Sequence, residues 1–495
     1  MLGELIKTTA RESSVYFTAQ IIAAATGFIT LPIFARIFVP AEYGLITLAM
    51  LVVSIGSIVF GNWLTSSVNR FFPYYKRIGK LDTFYSSLLF CMFIAFIGFY
   101  LLGTPLYFMF RGSISAEFRS LIPLVALLVP LTAGFEIFLT NFRIKQQANR
   151  YVTFQLSRTF LGLMVGLSLV IWFHFGVAGI LWGHIIALFI FGIVMFKLLF
   201  LADNQNKLNS ISLSTAREFA TFGFPAMAAT IGTWILTGAD RYIIEYFQGT
   251  SEVGLYSMGY NIGNMIIGML VSSLMLGIGP SVINVWESDN RELTGKLLSQ
   301  LTRLLILITL PATIGISVLA EPIFKLLTTP AYYPGSVVVP FAASGAFIYG
   351  LSLLSYTGLG LAKRTDIVMR NYFLAALFNV LLNVVFVPKF GFIAAAVTTT
   401  LSYAVLLVLN IKSANKYLKW VVIPRSAFNA TVASVVMGAI VFYIIRIFSN
   451  ALLDCIFGVV IGAVTYLTMI LLLNEFSHEE KSEIKKFVKE RLRII

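Results

Sequence analysis

The chain of 495 residues has little charge: Asp, Glu, Lys and Arg make up 12% of it, against about 25% in ordinary soluble domains. Apolar residues reach 58%, where about 45–50% is usual. A soluble fold of this composition would expose large apolar patches to water. The lack of charge therefore excludes an ordinary soluble protein.

Cysteine and histidine are also scarce. The two cysteines, Cys91 and Cys455, both lie in apolar stretches, which excludes a disulfide framework. His174 and His184 have no acidic or cysteine residue at ligand spacing, so we expect no metal site. The sequence has no phosphate-binding glycine loop and no nucleophile elbow. We therefore expect neither a cofactor nor an enzymatic activity.

Long apolar runs fill the chain instead. A helix needs about 20 apolar residues to cross a hydrocarbon layer of about 30 Å, whereas barrel strands are about 10 residues long and alternate in polarity. The sequence therefore predicts an all-α polytopic membrane protein with 14 transmembrane helices. The predicted spans are Tyr16–Ile37, Tyr43–Ser67, Phe84–Phe108, Leu121–Phe142, Val152–Phe173, Val177–Leu199, Phe219–Ala239, Leu255–Ile283, Leu297–Leu319, Val337–Leu361, Tyr372–Val387, Ile393–Ile411, Ala427–Phe448 and Leu452–Leu473.

The number of lysine and arginine residues alternates between high and low from one connection to the next. With both termini on one side, 28 of them lie on that side, seven lie on the other, and Arg158 lies inside a span. Positive charge favours the cytoplasmic side, so both termini are predicted to be cytoplasmic. This bias explains the net charge of +14, and we expect no nucleic acid partner. Residues 475–495 are predicted to form a basic amphipathic tail on the membrane lipids.

Short patterns recur at nearly constant spacing. Glu-x-Gly-Leu at 42–45 returns at 252–255, which is 210 residues later, and two further matches follow at spacings of 214 and 215. The repeat predicts a six-helix bundle at 1–205, a second parallel bundle at 206–418, and two extra helices at 419–474. Parallel repeats around a central cleft are typical of transporters that work by alternating access.

This arrangement of six, six and two helices resembles the multidrug/oligosaccharidyl-lipid/polysaccharide flippase superfamily. Ala-Asp-Arg-Tyr-Ile-Ile at 239–244 and Val-Gly-Leu-Tyr-Ser at 253–257 are similar to its polysaccharide transporter family, the O-antigen and exopolysaccharide repeat-unit flippases. The resemblance implies a substrate, an undecaprenyl-pyrophosphate-linked oligosaccharide moved from the cytoplasmic to the periplasmic leaflet of a bacterial inner membrane. It also implies contact with a polysaccharide polymerase.

Charged residues inside spans are costly unless they face a cavity or a partner, which makes them candidates for the transport site. Arg158, with Gln155 one turn earlier, is predicted to contact phosphate or sugar. Pairing with Glu136, or snorkelling to the interface, is the alternative for this arginine. Glu136 is itself predicted to carry a coupling proton or sodium ion, with a counter-ion role as its alternative.

The remaining candidates lie near span ends or in polar rows. Asp240 is the second predicted ion-coupling residue, beside Arg241 in the last turns of the seventh span, and a structural ion pair between the two is the alternative. Polar rows, such as Asn379 and Asn383 on the eleventh predicted helix, bind sugar hydroxyls or hydrogen-bond neighbouring helices. The other predicted substrate-binding residues are Arg36, Arg70, Arg241, Asn62, Asn261 and Asn264.

Two other transport functions fit the same architecture. A lipid II flippase of this superfamily also has 14 helices. A multidrug or cation antiporter would have 12 helices and favour carboxylates in its cavity. A membrane-embedded glycosyltransferase or polymerase is disfavoured, because no connection on the predicted outer side is long enough to form a catalytic domain.

Overall fold

The computed structural model describes residues 18, 21–22, 25–201, 211–447, 450–476 and 480. The secondary structure in these ranges is helical, without strands. The helices are α1 Ala25–Ile37, α2 Pro40–Ser57, α3 Trp63–Arg77, α4 Leu81–Phe110, α5 Ala116–Ile144, α6 Ala148–Ile171, α7 Gly176–Phe196, α8 Leu213–Gly238, α9 Asp240–Gln248, α10 Thr250–Glu287, α11 Arg291–Val318, α12 Ala320–Leu327, α13 Val338–Leu361, α14 Thr365–Phe390, α15 Phe392–Ala414, α16 Pro424–Ile444 and α17 Ala451–Leu472.

Thirteen spans in the described ranges are long and apolar enough to cross a membrane. The described part of α1 is a shorter apolar helix within the first predicted span, and before it only residues 18, 21 and 22 of that span are described. The predicted fold class, an all-α polytopic membrane protein, is confirmed. Of the predicted basic tail, residues 475–495, the structure describes residues 475, 476 and 480, and the others lie outside the described residues.

One predicted span end and one predicted placement are wrong, and both affect candidate residues. The second span continues through a π-helical turn, Ile58–Asn62, to Arg77, so Arg70 lies two turns before its end. The seventh span ends at Gly238, and Asp240 begins the separate helix α9. Hydrophobicity marks where a chain enters lipid, but it does not show where a helix breaks or extends into polar surroundings.

Contacts divide the chain into two compact units: Met1–Ser257 with Val368–Ser402, and Met258–Ile367 with Tyr403–Ile495. The predicted division at 205, 418 and 474 rests on the sequence repeat and stays a prediction. In the first unit, α6 and α7 pack closely, because a Cβ on Gly183 would lie 2.3 Å from the carbonyl oxygen of Gly162. Small residues let membrane helices approach in this way.

The recurring Glu-x-Gly-Leu patterns meet each other in the first unit. A Cβ on Gly44 would lie 2.0 Å from the carbonyl oxygen of Thr250, and a Cβ on Gly254 would lie 1.9 Å from that of Pro40. Neither backbone oxygen can move away as a flexible side chain could. The first turns of α2 and α10 are therefore in backbone contact, and only glycine fits at this crossing.

In the second unit, α11 packs against α13 and α16, and α16 packs against α17. The segment after α17 returns to this helix group through a buried carboxylate, Glu475. Its Oε1 accepts from Arg303 Nε at 2.8 Å and from the Ser426 hydroxyl, and its Oε2 accepts from Asn429 Nδ2 at 2.8 Å. Arg303 also binds Glu480, with 2.6 Å between Nη1 and Oε1. We call Glu475 and its partners the carboxylate clamp.

The clamp stabilises the ionised form of Glu475. Burial by itself would raise the pKa of this carboxyl, but hydrogen bonds from Ser426, Arg303 and Asn429 outweigh burial and hold the pKa below its usual value of 4.5. A lowered pKa in the folded state contributes stability above the ordinary pKa. That contribution is lost as the pH falls through the pKa of the folded state.

Candidate functional site

Arg158 lies near the middle of α6, ten residues after its first residue, Ala148. At 1.5 Å per residue it is about 15 Å along the helix. The guanidinium carbon is 5.0 Å from the ring centroid of Phe135, a cation–π contact. Arg158 Nε is buried and has no hydrogen-bond partner among the described residues. A half-buried guanidinium is therefore held deep in a membrane span with donor capacity unused.

Glu136 lies on the neighbouring helix α5, eight residues before that helix ends at Ile144. Its side chain is accessible, although Phe135 and Ile137 on either side are buried. Arg158 and Arg143 lie close enough to interact electrostatically with the Glu136 carboxylate. Because α5 and α6 are consecutive helices of opposite direction, Glu136 and Arg158 lie at similar depth.

Glu136 and Arg158 do not form an ion pair of 4.0 Å or less, on the evidence of the described side chains. The pairing that the sequence left open as the alternative for Arg158 is absent from this arrangement. The two groups interact electrostatically across a longer distance. An anion between α5 and α6 would find a cation that is not already neutralised at contact distance.

Two further groups surround this pair. Tyr151 on α6 lies within electrostatic range of Glu136. His184 on α7 lies beside Gly162, because a Cβ there would be 3.4 Å from its Nδ1, and Arg158 is one turn before Gly162. Sequence reasoning treated His184 as isolated, since its neighbours come from another helix. Gln155 is half-buried one turn before Arg158. We call Glu136, Tyr151, Arg158 and His184 the α5–α7 polar cluster.

Asp240 and Arg241 form a second polar centre, which is buried. Asp240 Oδ1 accepts from the backbone N of Arg241 at 2.9 Å and from its Nη1 at 2.8 Å. Asp240 Oδ2 accepts from the Tyr256 hydroxyl and, at 3.3 Å, from Thr399 Oγ1. The Arg241 guanidinium carbon lies 5.0 Å from the Tyr256 ring centroid. Both oxygens of this carboxylate are thus already used.

A chain of amides and hydroxyls extends from Thr399. Asn379 Nδ2 donates to Thr399 Oγ1 at 3.2 Å, and Asn383 Nδ2 donates to Asn379 Oδ1 at 3.0 Å. Thr398 Oγ1 donates to Asn383 Oδ1 at 2.7 Å. The sequence pointed to the two asparagines as a row on one helix, but it missed Tyr256, Thr398 and Thr399. Short polar residues in apolar helices are too common to be a signal.

The other predicted site residues do not join either centre. Arg36, in the last turn of α1, and Arg70 on α3 are exposed. Asn62 Oδ1 accepts from Thr230 Oγ1 at 3.2 Å, so it bridges two helices. Asn261 and Asn264 lie half-buried on the part of α10 that belongs to the second unit.

The described residues hold no group of three His, Cys, Asp or Glu side chains that could bind a metal ion. The α5–α7 polar cluster offers single charges and hydrogen-bonding groups. A free guanidinium beside an accessible carboxylate can bind an anion and exchange a proton or a small cation. Neither task requires a covalent step.

Comparison with known proteins gives matches along most of the chain. The family model for "Polysaccharide biosynthesis protein" matches residues 9–284, and the MatE model matches residues 225–385. The probable low-salt glycan biosynthesis flippase Agl15 of Haloferax volcanii is 25% identical over 281 residues, 55% of this chain and 58% of that protein. The succinoglycan biosynthesis transport protein ExoT of Rhizobium meliloti is 22% identical over 304 residues, 61% of this chain and 58% of that protein.

Among solved structures, the lipid II flippase MurJ in an inward closed conformation superimposes with a TM-score of 0.74. The match covers 93% of this chain and 99% of that one, at 15% sequence identity. The superposition demonstrates a shared fold. Identity this low leaves the substrate open.

Proposed function

This chain belongs to the polysaccharide biosynthesis protein family, and on that premise we propose that it flips an undecaprenyl-pyrophosphate-linked oligosaccharide across the plasma membrane. The substrate carries an anionic pyrophosphate, which cannot cross bare hydrocarbon. We also propose that the substrate moves from the cytoplasmic to the periplasmic leaflet by alternating access, with both termini in the cytoplasm. The names of the glycan and succinoglycan relatives support this substrate class.

One observation in the fold carries the proposal: the deep guanidinium of Arg158 has a buried nitrogen without a partner. Charged groups at this depth usually mark a substrate or ion pathway. Arginine is well suited to phosphate, because its planar fork donates two parallel hydrogen bonds. We propose that Arg158 binds a phosphate oxygen of the passing substrate and that Gln155 contacts the sugar.

Glu136 is the carboxylate that we propose for ion coupling. It is accessible and has no ion pair within 4.0 Å among the described side chains. Asp240 is the weaker candidate, because four donors already occupy its oxygens. A proton or sodium ion reaching Glu136 would weaken its attraction to Arg158 and so change the affinity of Arg158 for an anion.

The experiment is a flipping assay with purified protein in vesicles under imposed pH or sodium gradients. The probes are a fluorescent undecaprenyl-pyrophosphate oligosaccharide, fluorescent lipid II and a cationic dye. Lipid II tests the function named for the structural neighbour, and the dye tests multidrug transport. Movement of the dye alone, or of lipid II alone, would overturn the proposed substrate.

Variants then test the polar cluster. Loss of one hydrogen bond to a charged group costs about 1.5–3 kcal/mol, so Arg158→Ala should reduce flipping by about 10-fold or more. Arg150→Ala is the matched control, because Arg150 is an exposed arginine in the first turn of the same helix. Glu136→Gln should remove the dependence on the gradient. Equal activity of Arg158→Ala and the control would exclude Arg158 as a phosphate ligand.

A further inference from the structure

The second unit contains a cationic cavity of about 710 Å³ at one end of its helices, and none of its lining residues belongs to either polar centre. Its lining includes four cations, Arg291, Lys296, Lys416 and Lys419, and Glu292 is the one acid among the described lining residues. It lies between the first turns of α11 and the connection from α15 to α16. We call this cavity the basic cleft.

The walls of the basic cleft are fixed to each other. Trp420 Nε1 donates to Thr302 Oγ1 at 2.7 Å, which ties the connection to the side of α11. The backbone N of Val421 donates to Ser299 Oγ at 3.2 Å. Both bonds join residues about 120 positions apart in the chain, so the cleft is formed by the fold. Its lysines are therefore carried by backbone that is already positioned before any ligand binds.

Much of the positive charge in the cleft is not neutralised. Lys296 pairs with Glu292 at 2.7 Å. Arg291 lies over the ring of Trp286 at 4.9 Å, and its Nε is 3.9 Å from Asp289 Oδ1. Lys416 and Lys419 are exposed, and neither takes part in an ion pair with a described residue. The cleft thus has a net charge of three positive units from its lining side chains.

The basic cleft lies at the ends of two transmembrane spans. It lies where the spans Arg291–Val318 and Phe392–Ala414 begin and end, on the side that the lysine and arginine distribution predicts to be cytoplasmic. Val421, in its wall, is 62% exposed. A ligand that suits the cleft therefore has an anionic head and an apolar part beside it.

We propose that the basic cleft binds the phosphate head group of an anionic phospholipid from the cytoplasmic leaflet. Basic pockets at the cytoplasmic ends of transmembrane helices bind such head groups. The lysines contact the phosphate, and the acyl chains lie along the apolar ends of the spans. This site is separate from the α5–α7 polar cluster and does not depend on which substrate the protein flips.

The test uses the full-length protein in neutral detergent, titrated with phosphatidylglycerol that carries a fluorescent acyl chain. Each lysine near an anionic membrane surface contributes about 1 kcal/mol. The double variant Lys416→Gln/Lys419→Gln should therefore weaken binding by about 30-fold. The matched control is Lys76→Gln/Lys80→Gln, which removes two exposed lysines from the same predicted side. The control should change binding less than 2-fold.

Further arms identify the ligand. Phosphatidylcholine with the same fluorescent chain should bind at least about 10-fold more weakly, and Glu292→Gln should tighten phosphatidylglycerol binding. Inorganic phosphate at concentrations matched to the lipid should not displace it. Equal binding of phosphatidylcholine, equal losses in both double variants, or displacement by inorganic phosphate alone would each overturn the proposal. Thermal melting of every variant confirms that the protein is folded.

Discussion

The contribution of the carboxylate clamp to the stability of the second unit can be tested by a single substitution. We consider Glu475→Gln, which keeps the side chain's size and removes its charge. In the native structure one oxygen accepts from Arg303 and Ser426, and the other accepts from Asn429. In the variant an amide nitrogen replaces one of the two carboxylate oxygens. It therefore faces either the Asn429 amide or the donors of Arg303 and Ser426. At least one buried donor loses its acceptor.

The expected cost follows from burial. The Glu475 side chain is 1% exposed and that of Arg303 is 13% exposed. Breaking a buried ion pair from one side costs about 3–5 kcal/mol. Arg303 retains Glu480 as a second partner, so we expect the lower end, about 3 kcal/mol. For a unit of about 200 residues, this corresponds to a fall in Tm of about 6–12 °C.

Thermal unfolding of the purified protein in detergent, followed by tryptophan fluorescence, measures this effect. Glu292→Gln is the matched control: it removes an exposed carboxylate from its 2.7 Å pair with Lys296, with both side chains at least 70% exposed. Exposed pairs contribute little to stability, so the Tm of this control should stay at the wild-type value. A Tm of Glu475→Gln within about 2 °C of the wild-type value would refute the proposed stabilisation by the carboxylate clamp.

Three further predictions concern other parts of the fold. The stability difference between wild type and Glu475→Gln should persist at neutral pH and vanish as the pH falls below 4.5 towards the lowered pKa of this carboxyl; a constant difference across that range would contradict the assignment. Gly44→Ala should reduce the yield of monodisperse protein in size-exclusion chromatography, whereas Gly98→Ala, with open space around the new Cβ, should not, and equal yields would exclude the backbone crossing. Asp240→Asn should lower the Tm strongly, because Arg241 is left buried without its carboxylate at a cost of about 3 kcal/mol; an unchanged Tm would show that Asp240 does not stabilise the arginine.

Hydrophobic runs predict the membrane spans correctly because entry into lipid depends on composition over about 20 consecutive residues, which is a local property. The same hydrophobic runs predicted that Arg36 lies near the end of the first helix and that Arg158 lies inside the fifth span. Helix ends were predicted less well. The extension to Arg77 and the break after Gly238 depend on local backbone geometry and on neighbouring helices, which average hydrophobicity does not record.

The recurrence of Glu-x-Gly-Leu could be read from the sequence, but its consequence could not. Glycine at 44 and 254 allows a close approach, and only the folded chain shows that the two glycines approach each other's helix. In the same way, Asn379 and Asn383 were visible as a row on one helix. Their connection through Thr399 to Asp240 crosses 159 positions of sequence.

The sequence by itself thus determined the environment of this protein, its helical class and its family, because each depends on composition or on short patterns along the chain. Tertiary structure decided which charges are neutralised. Asp240 accepts hydrogen bonds from Tyr256 and Thr399 on other helices, Glu475 is enclosed by three donors, and Arg158 keeps a nitrogen without a partner. Pairing depends on distances of a few ångströms between separate helices, and in a low-dielectric interior those distances decide whether a charge stabilises the fold or remains available to a substrate.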